Sequence, residues 1–267
     1  MKKITLTIAF LLYTILEIIA QDTLGKVTGK NAIQLQFGLE KGYFEDLNFS
    51  PMNYSCSGLA INIGYRRNLK NDGHLFFSSN FHIGELKFGE LNPYVSEFNT
   101  SDHYNLNLEI GYLKNIPNNT SKIKTLVGGQ YHSYVDVVFY DGAEAVTFYG
   151  LHSIDLMGSI SWDISNSHAL FSTISIPVFG LLVRPPYTGW DKYIVDHQNN
   201  PLPVFFRGNW TTLNKFLAFN WDIQYQYAIS PRWDLTAKYQ FRYYRTEELK
   251  TAIIPSNQFT IGTNFKF

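Results

Sequence analysis

The chain ends in the stretch Asn257–Phe267, which reads Asn-Gln-Phe-Thr-Ile-Gly-Thr-Asn-Phe-Lys-Phe. In an extended strand, successive side chains point to opposite faces. One face would therefore carry Phe259, Ile261, Thr263, Phe265 and Phe267, and the other Gln258, Thr260, Gly262, Asn264 and Lys266. The stretch predicts a last β-strand with one apolar face, one polar face and an aromatic final residue.

This strand resembles the closing strand of bacterial outer-membrane β-barrels, which also has an apolar outer face, a polar inner face and an aromatic end. The resemblance implies that the outer wall contacts outer-membrane lipid. It also implies that the barrel insertion machinery reads the strand that ends in Phe267. On the pattern of this strand alone, an edge strand of a soluble β-sandwich is the alternative.

The composition agrees with a membrane-spanning barrel. The 267 residues are 45% hydrophobic and 16% aromatic, but only 16% are charged, whereas about a quarter are charged in an average soluble domain. This balance is typical of a transmembrane barrel, because only alternate residues of each strand meet lipid. The formal net charge is zero, which gives no reason to expect a nucleic-acid partner.

The amino terminus has the pattern of a secretory signal peptide. A basic start is followed by an apolar run that ends at Ile19, and Ala20 offers a small residue for cleavage. The run is short for a spanning helix of about 20 residues. We predict that residues 1–20 are a signal peptide, residues 21–30 a short periplasmic lead and residues 31–267 the barrel.

Alternating apolar and polar residues recur from Ile33 onward in about ten segments. Each can supply the roughly 9–11 residues of a tilted spanning strand. Turn-forming sequences occur at 71–73, 117–119, 165–167 and 230–232. They alternate with connections that we expect to be long loops, at 39–57, 87–102, 137–150, 183–209 and 245–256.

Short turns at one end and long loops at the other predict an all-β, antiparallel transmembrane β-barrel of about 10 strands, with 8 to 12 as the range. The turns would be periplasmic, the loops extracellular, both termini periplasmic and the location the bacterial outer membrane. Outward aromatic residues beside the short turns would form a membrane-interface girdle: Tyr65, Tyr112, Trp162, Tyr227, Trp233 and Phe265.

Inward-facing charged residues are concentrated toward the short turns: Arg66, Glu109, Lys124, Asp155, Asp222, Lys238 and Arg242. Distances from the turns predict that Asp222 lies beside Lys238, and Glu109 near Lys124. Buried charges need partners, and a small barrel has room mainly for side chains. We interpret the set as an ion-pair network in the lumen. A narrow polar passage and a buried proton-handling site are the alternatives.

Serine and histidine positions bear on an enzymatic function. Outer-membrane phospholipases and lipid A deacylases carry a His and a Ser two positions apart on one barrel face. Here His132–Ser133 and His152–Ser153 are adjacent, so the two side chains face opposite sides of a strand. They cannot form a nucleophile–base pair within one strand. Omptin proteases are also ten-stranded and place Asp and His at the outer rim, where Asp102–His103 and Asp196–His197 are the only resemblance.

The chain shows no metal-ligand pattern in one strand. The seven histidines form no pair at a spacing of two or four in a strong template, so we expect neither a metal nor a cofactor. The single cysteine, Cys56, cannot form an internal disulfide, and we interpret it as a passive loop residue.

The most distinctive connection runs from Arg184 to Phe206 and contains aromatic residues that turn chemistry does not require: Tyr187, Trp190, Tyr193, Phe205 and Phe206. They would bind a small molecule or a protein partner, or form a lid on the barrel mouth. The predicted function is a non-enzymatic outer-membrane barrel with a filled or narrow polar lumen. The alternatives are a rim-site hydrolase, either an omptin-like protease or a lipid-modifying enzyme, and a narrow small-solute channel.

Overall fold

A computed structural model describes residues 29–48, 50–70, 72–88, 100–117, 122–140, 145–184, 196–197, 199–200 and 202–267. The predicted signal peptide and most of the predicted lead lie outside these residues. The elements are β1 (Asn31–Asp46), β2 (Ser50–Asn68), β3 (Gly73–Phe88), β4 (Thr100–Ile116), β5 (Ile123–Tyr140), β6 (Ala145–Asp163), β7 (His168–Val183), α1 (Leu202–Phe205), β8 (Asn209–Thr212), β9 (Phe216–Ala228), β10 (Trp233–Thr246) and β11 (Ala252–Lys266). Within the described residues, no helix is long and apolar enough to cross a membrane.

The strands form one closed antiparallel sheet. Neighbours follow chain order, and β11 also pairs with β1, beginning with Ala32 opposite Lys266. Strands β8 and β9 share one place in the wall because both pair with β7, which contacts β8 through Phe179–Leu182 and β9 through His168–Ser175. The wall therefore has 10 strand positions, and the predicted barrel is confirmed.

Side chains alternate between the two faces as the closing strand predicts. Phe259 and Ile261 of β11 are 52% and 56% exposed on the outer wall, whereas Gln258 and Thr260 are buried in the lumen. Exposed apolar residues continue around the wall, as at Leu39 of β1. So much exposed apolar surface is stable only against lipid or another apolar partner.

The strands extend farther than predicted at one end. The connections that replace three predicted long loops comprise only residues 47–49, 141–144 and 247–251, so those three predictions are wrong. At this end the lumen face becomes apolar, as at Phe44 and Tyr54, which are both buried. Alternation with a polar inner face therefore stops while the backbone pairing continues, with Phe44 opposite Tyr54.

The two ends of the barrel differ in their connections. We call the end with the turns 69–72, 117–122, 164–167 and 229–232 the short-turn end. The opposite end, with the connections 89–99 and 184–208, is the long-loop end. The difference in length between the ends is smaller than the sequence predicts, because the other three connections of the long-loop end are short.

The described lumen has three layers. Toward the long-loop end, buried residues form an apolar cluster that we call the lumen cluster: Phe44, Tyr54, Cys56, Leu86, Tyr134, Val138, Tyr149, Leu151, Leu182, Phe216, Ala218, Tyr244 and Ile254. The middle layer is polar, and in it Asn80 Nδ2 donates to Gln258 Oε1 at 2.7 Å and to Gln240 Oε1 at 3.1 Å. Toward the short-turn end lies a cavity of about 360 Å³.

Candidate functional site

The charged residues predicted in the lumen fall into two groups. Five of them line the short-turn cavity: Arg66, Glu109, Lys124, Asp222 and Lys238. Lys238 Nζ lies 2.9 Å from Asp222 Oδ2 on the adjacent strand, as the turn distances predict. Lys124 Nζ lies 3.6 Å from Asp163 at the barrel end, and both side chains are about half exposed. Glu109 lies opposite His132, which is eight residues along β5 from Lys124, so the prediction that Glu109 lies near Lys124 is wrong.

The other two predicted charges, Asp155 and Arg242, are buried at mid-height. Asp155 accepts hydrogen bonds from Gln130 at 2.9 Å and Ser153 at 2.6 Å. Its Oδ2 also lies 3.4 Å from His132 Nδ1. An amide, a hydroxyl and an imidazole therefore surround the buried carboxylate.

The rim pair predicted at Asp102–His103 does not lie in a loop. Both residues belong to β4, where Asp102 is exposed on the outer wall and His103 is buried in the lumen. Adjacent strand residues face opposite sides, so the pair cannot act together on one substrate. Asp196 is exposed and His197 is partly buried in the connection before α1.

Two of the five predicted loop aromatics can be located. Tyr187, Trp190 and Tyr193 lie outside the described residues. Phe205 and Phe206 pack against the outer wall, where the Phe205 ring meets Phe148 edge-on at 5.2 Å. The end of this connection therefore covers part of the barrel side near the long-loop end.

A buried site that the sequence analysis missed lies within the lumen at Cys56. Its Sγ lies 2.9 Å from His103 Nδ1, and His103 Nε2 donates to Asp136 Oδ2 at 2.7 Å. Asp136 also accepts from the Tyr134 hydroxyl at 2.9 Å and from Asn105. Cys56 is therefore a buried residue of β2, and its predicted place in a loop is wrong.

A second histidine lies on the other side of the same sulfur. His82 Nε2 is 3.7 Å from Cys56 Sγ, and His82 Nδ1 lies 3.6 Å from Glu40 Oε2. Neither Glu40 Oε2 nor His82 Nδ1 has a hydrogen-bond partner, although both atoms are buried. The thiol thus lies between two imidazoles, each facing a carboxylate.

A serine and a histidine meet on the outer wall. Ser133 of β5 and His152 of β6 are opposite each other in the strand register, and Ser133 Oγ lies 2.9 Å from His152 Nδ1. His152 Nε2 donates to the carbonyl of Phe205 at 2.8 Å. Because a carbonyl only accepts, Nε2 carries the proton and Nδ1 accepts from the serine hydroxyl.

The connection before β8 covers this pair. The Phe206 ring stacks on His152 with centroids 4.7 Å apart, and both Ser133 and His152 are buried beneath it. Adjacent Ser and His residues within one strand face opposite sides, so no pattern along the chain predicts this pair. The pairing arises between two strands, from the register of β5 on β6.

The closed antiparallel wall, the apolar exterior and the absence of free barrel edges among the described strands define the class. The chain has the fold of a bacterial outer-membrane β-barrel, and an outer-membrane location agrees with it.

No protein-family model and no curated protein matches the chain. Among solved structures it is similar to the outer membrane protease OmpT of Escherichia coli, at 10% identity over 92% of this chain and 99% of that one, with a TM-score of 0.49. The translocator domain of the autotransporter NalP of Neisseria meningitidis is similar at 9% identity over 99% and 98% of the two chains, with a TM-score of 0.44. Likenesses at these scores support no conclusion about function.

Proposed function

We propose that the protein is a non-conducting outer-membrane barrel that acts at its long-loop end, with the short turns and both termini in the periplasm. The observation that carries this proposal is the lumen cluster. Within it the rings of Tyr134 and Tyr244 stack with centroids 4.3 Å apart, and both side chains are buried. Packed side chains of this kind leave no water-filled path for solutes.

A conductance measurement tests the proposal. The protein, reconstituted in planar bilayers, should show no conductance above that of lipid alone. The double variant Tyr134→Ala, Tyr244→Ala should leak, because it removes both stacked rings from the lumen. The matched variant Tyr43→Ala, Tyr227→Ala changes two outer-wall tyrosines and should remain closed. Stepwise conductance through the unmodified protein would overturn the proposal.

The surface at the long-loop end would bind a ligand or a protein partner. The predicted binding residues Tyr187, Trp190, Tyr193, Phe205 and Phe206 belong to its longest connection. Phe206 is 54% exposed although it packs on the wall, so it can contact lipid, a small molecule or a protein partner. Exposed aromatic side chains of this size are common at binding surfaces.

The Ser133–His152 pair favours a second candidate function, hydrolysis of lipid acyl esters at the outer wall. A serine hydroxyl that donates to a correctly protonated imidazole is the arrangement of an activated nucleophile. The Phe205 carbonyl would hold the imidazole in that orientation. Ser133 is about 10 residues along β5 from Ile123 at the short-turn end, which corresponds to roughly 25 Å along the membrane normal for a strand tilted by about 40°. With the short turns in the periplasm, the pair therefore lies near the level of the outer lipid headgroups.

Release of fatty acids tests this second function. Purified protein would be incubated with phospholipid and with lipopolysaccharide, and the products would be identified by mass spectrometry. Ser133→Ala should abolish release, whereas Ser55→Ala, which changes an exposed outer-wall serine of β2, should not. Absence of release from both lipids, or equal release by the Ser133→Ala variant, would leave the pair as an anchor for α1.

A further inference from the structure

We propose that Cys56, His82 and His103 bind one zinc ion inside the barrel. A sulfur and two imidazole nitrogens from these residues lie within 4.8 Å of one another, and all three residues are buried. In a tetrahedral zinc site with bonds of about 2.0–2.3 Å, neighbouring ligand atoms are about 3.3–3.6 Å apart. The sulfur-to-nitrogen distances of 2.9 and 3.7 Å bracket that range, so small side-chain adjustments suffice.

The surroundings of the two histidines support coordination. A metal-bound imidazole usually donates its second N–H to a carboxylate or carbonyl, which fixes its orientation. His103 faces the sulfur through Nδ1 and Asp136 through Nε2, at 2.7 Å. His82 faces the sulfur through Nε2 and Glu40 through Nδ1. Each imidazole therefore points one nitrogen at the shared site and the other at an acid.

The local charge also favours a cation. Glu40 and Asp136 are 4% and 1% exposed, and buried carboxylates are costly without nearby positive charge. The buried guanidinium of Arg242 already offsets part of this cost at Glu40. A divalent ion with one thiolate leaves a net positive charge between the two acids. Coordination would also allow His82 Nδ1 to donate to Glu40, which would satisfy the two buried atoms that now have no hydrogen-bond partner.

The ligand types select the metal. Thiolate and imidazole ligands suit zinc, whereas calcium and magnesium require mainly oxygen ligands. Three protein ligands leave the fourth position for water or another small ligand. The ligands belong to β2, β3 and β4, three successive strands, which explains why no spacing along the chain reveals them.

The same atoms also have the order of a thiol–imidazole–carboxylate catalytic triad, Cys56–His103–Asp136. Two observations favour the metal over that alternative. His82 lies against the sulfur with its own carboxylate, which a triad does not need. The site also lies beside the lumen cluster, of which Cys56 is a member, and an ion can reach such a place more readily than a large substrate.

Metal titration of the purified full chain in detergent tests the proposal. After treatment with a chelator, the protein should bind one equivalent of Zn²⁺ in competition with a chromophoric chelator. Co²⁺ should give a near-ultraviolet thiolate-to-metal band and the visible spectrum of a tetrahedral site. Stoichiometric Zn²⁺ binding and the thiolate-to-metal band should both be lost in Cys56→Ser. Asp136→Asn should weaken Zn²⁺ binding about 10–100-fold, as expected when the partner of a ligating histidine is removed.

Two controls separate coordination from loss of folding. His132→Gln changes another buried lumen histidine beside a carboxylate and should keep the stoichiometry, whereas His82→Gln should lose it. In the unmodified chain, Zn²⁺ should slow alkylation of Cys56, which is the only thiol. Because this measurement uses the unmodified protein, it does not depend on whether a variant folds. No saturable binding, binding unchanged by Cys56→Ser, or alkylation unaffected by Zn²⁺ would each overturn the proposal.

Discussion

Individual charged pairs lie in the lumen at the short-turn end. Lys266 Nζ lies 2.8 Å from Asp234 Oδ1, with Asp234 fully buried. Asp234 Oδ2 also accepts from Asn264 at 2.9 Å. Lys238 and Asp222 form a similar pair whose side chains are 11% and 24% exposed. Partial burial makes such pairs more sensitive to the loss of one partner than surface pairs are.

We predict that Asp222 and Lys238 are energetically coupled. Asp222→Asn or Lys238→Met alone leaves one charge without its partner and should lower the free energy of unfolding. The double variant should recover part of the loss, with a coupling energy of about 1 kcal/mol. Urea unfolding in detergent or lipid vesicles, followed by tryptophan fluorescence, measures the cycle.

The exposed pair Arg245–Glu247, 2.7 Å apart with side chains 45% and 66% exposed, provides the control. Its cycle should give a coupling of at most a few tenths of a kcal/mol. Strictly additive losses at Asp222 and Lys238 would show that the two side chains do not stabilise each other in the folded protein.

At the level of elements, the connection between β7 and β8 is attached to the barrel at both ends. At its start, the guanidinium of Arg184 donates to Asp46 of β1 and, at 2.6 Å, to the carbonyl of Glu248 beyond β10. At its end, the Phe205 carbonyl accepts from His152 and the Phe206 ring covers it. These contacts fix the two described ends of the connection against the wall.

We predict that Phe206→Ala uncovers His152 without unfolding the barrel. The stacked ring contributes no strand pairing, so circular dichroism should be unchanged, while diethyl pyrocarbonate should modify His152 faster. Peptide mass spectrometry identifies the modified histidine. Trp210→Ala, which removes a ring stacked on Phe179 at 5.1 Å, is the control and should not change the rate. Equal rates in all three proteins would contradict the cover assigned to Phe206.

The whole molecule combines a closed wall with a layered lumen. Pairing of β11 with β1 satisfies the backbone groups of both terminal strands, which a membrane requires because lipid offers no hydrogen bonds. The polar cavity opens toward the short turns, and the lumen cluster lies toward the long loops. The orientation of the barrel in the membrane determines which of these layers is accessible from the periplasm and which from the cell exterior.

We predict that the short turns face the periplasm. Asn166→Cys in the turn between β6 and β7 should be shielded from a membrane-impermeant thiol reagent in intact cells, while Asn199→Cys before α1 should be labelled. Both positions are exposed, so burial does not protect either of them. Both should react after the cells are opened. Labelling of Asn166→Cys alone in intact cells would reverse the orientation.

The sequence alone determined the barrel and about how many strands it has. Alternation is a local property of each strand, and lipid on one side forces it wherever the wall spans the membrane. The signal fades toward the long-loop end, where Lys41 and Glu45 face outward and Phe44 faces the lumen. There each face carries both polar and apolar residues, with Tyr43 also outward and Glu40 and Asp46 also buried, so the sequence predicts a loop although the strands continue.

Distances from a short turn predicted that Asp222 meets Lys238, but only the tertiary structure decided which side chains meet at the two candidate sites. Cys56, His82 and His103 belong to three strands, and Ser133 and His152 to two. Their contacts depend on the register of each strand on the next and on the closure of the sheet. Register is set by the geometry of the connections between strands and by the match of apolar and polar faces across the sheet. The alternation fixes the face on which each side chain lies, but not its height relative to its neighbours, and that height creates both sites.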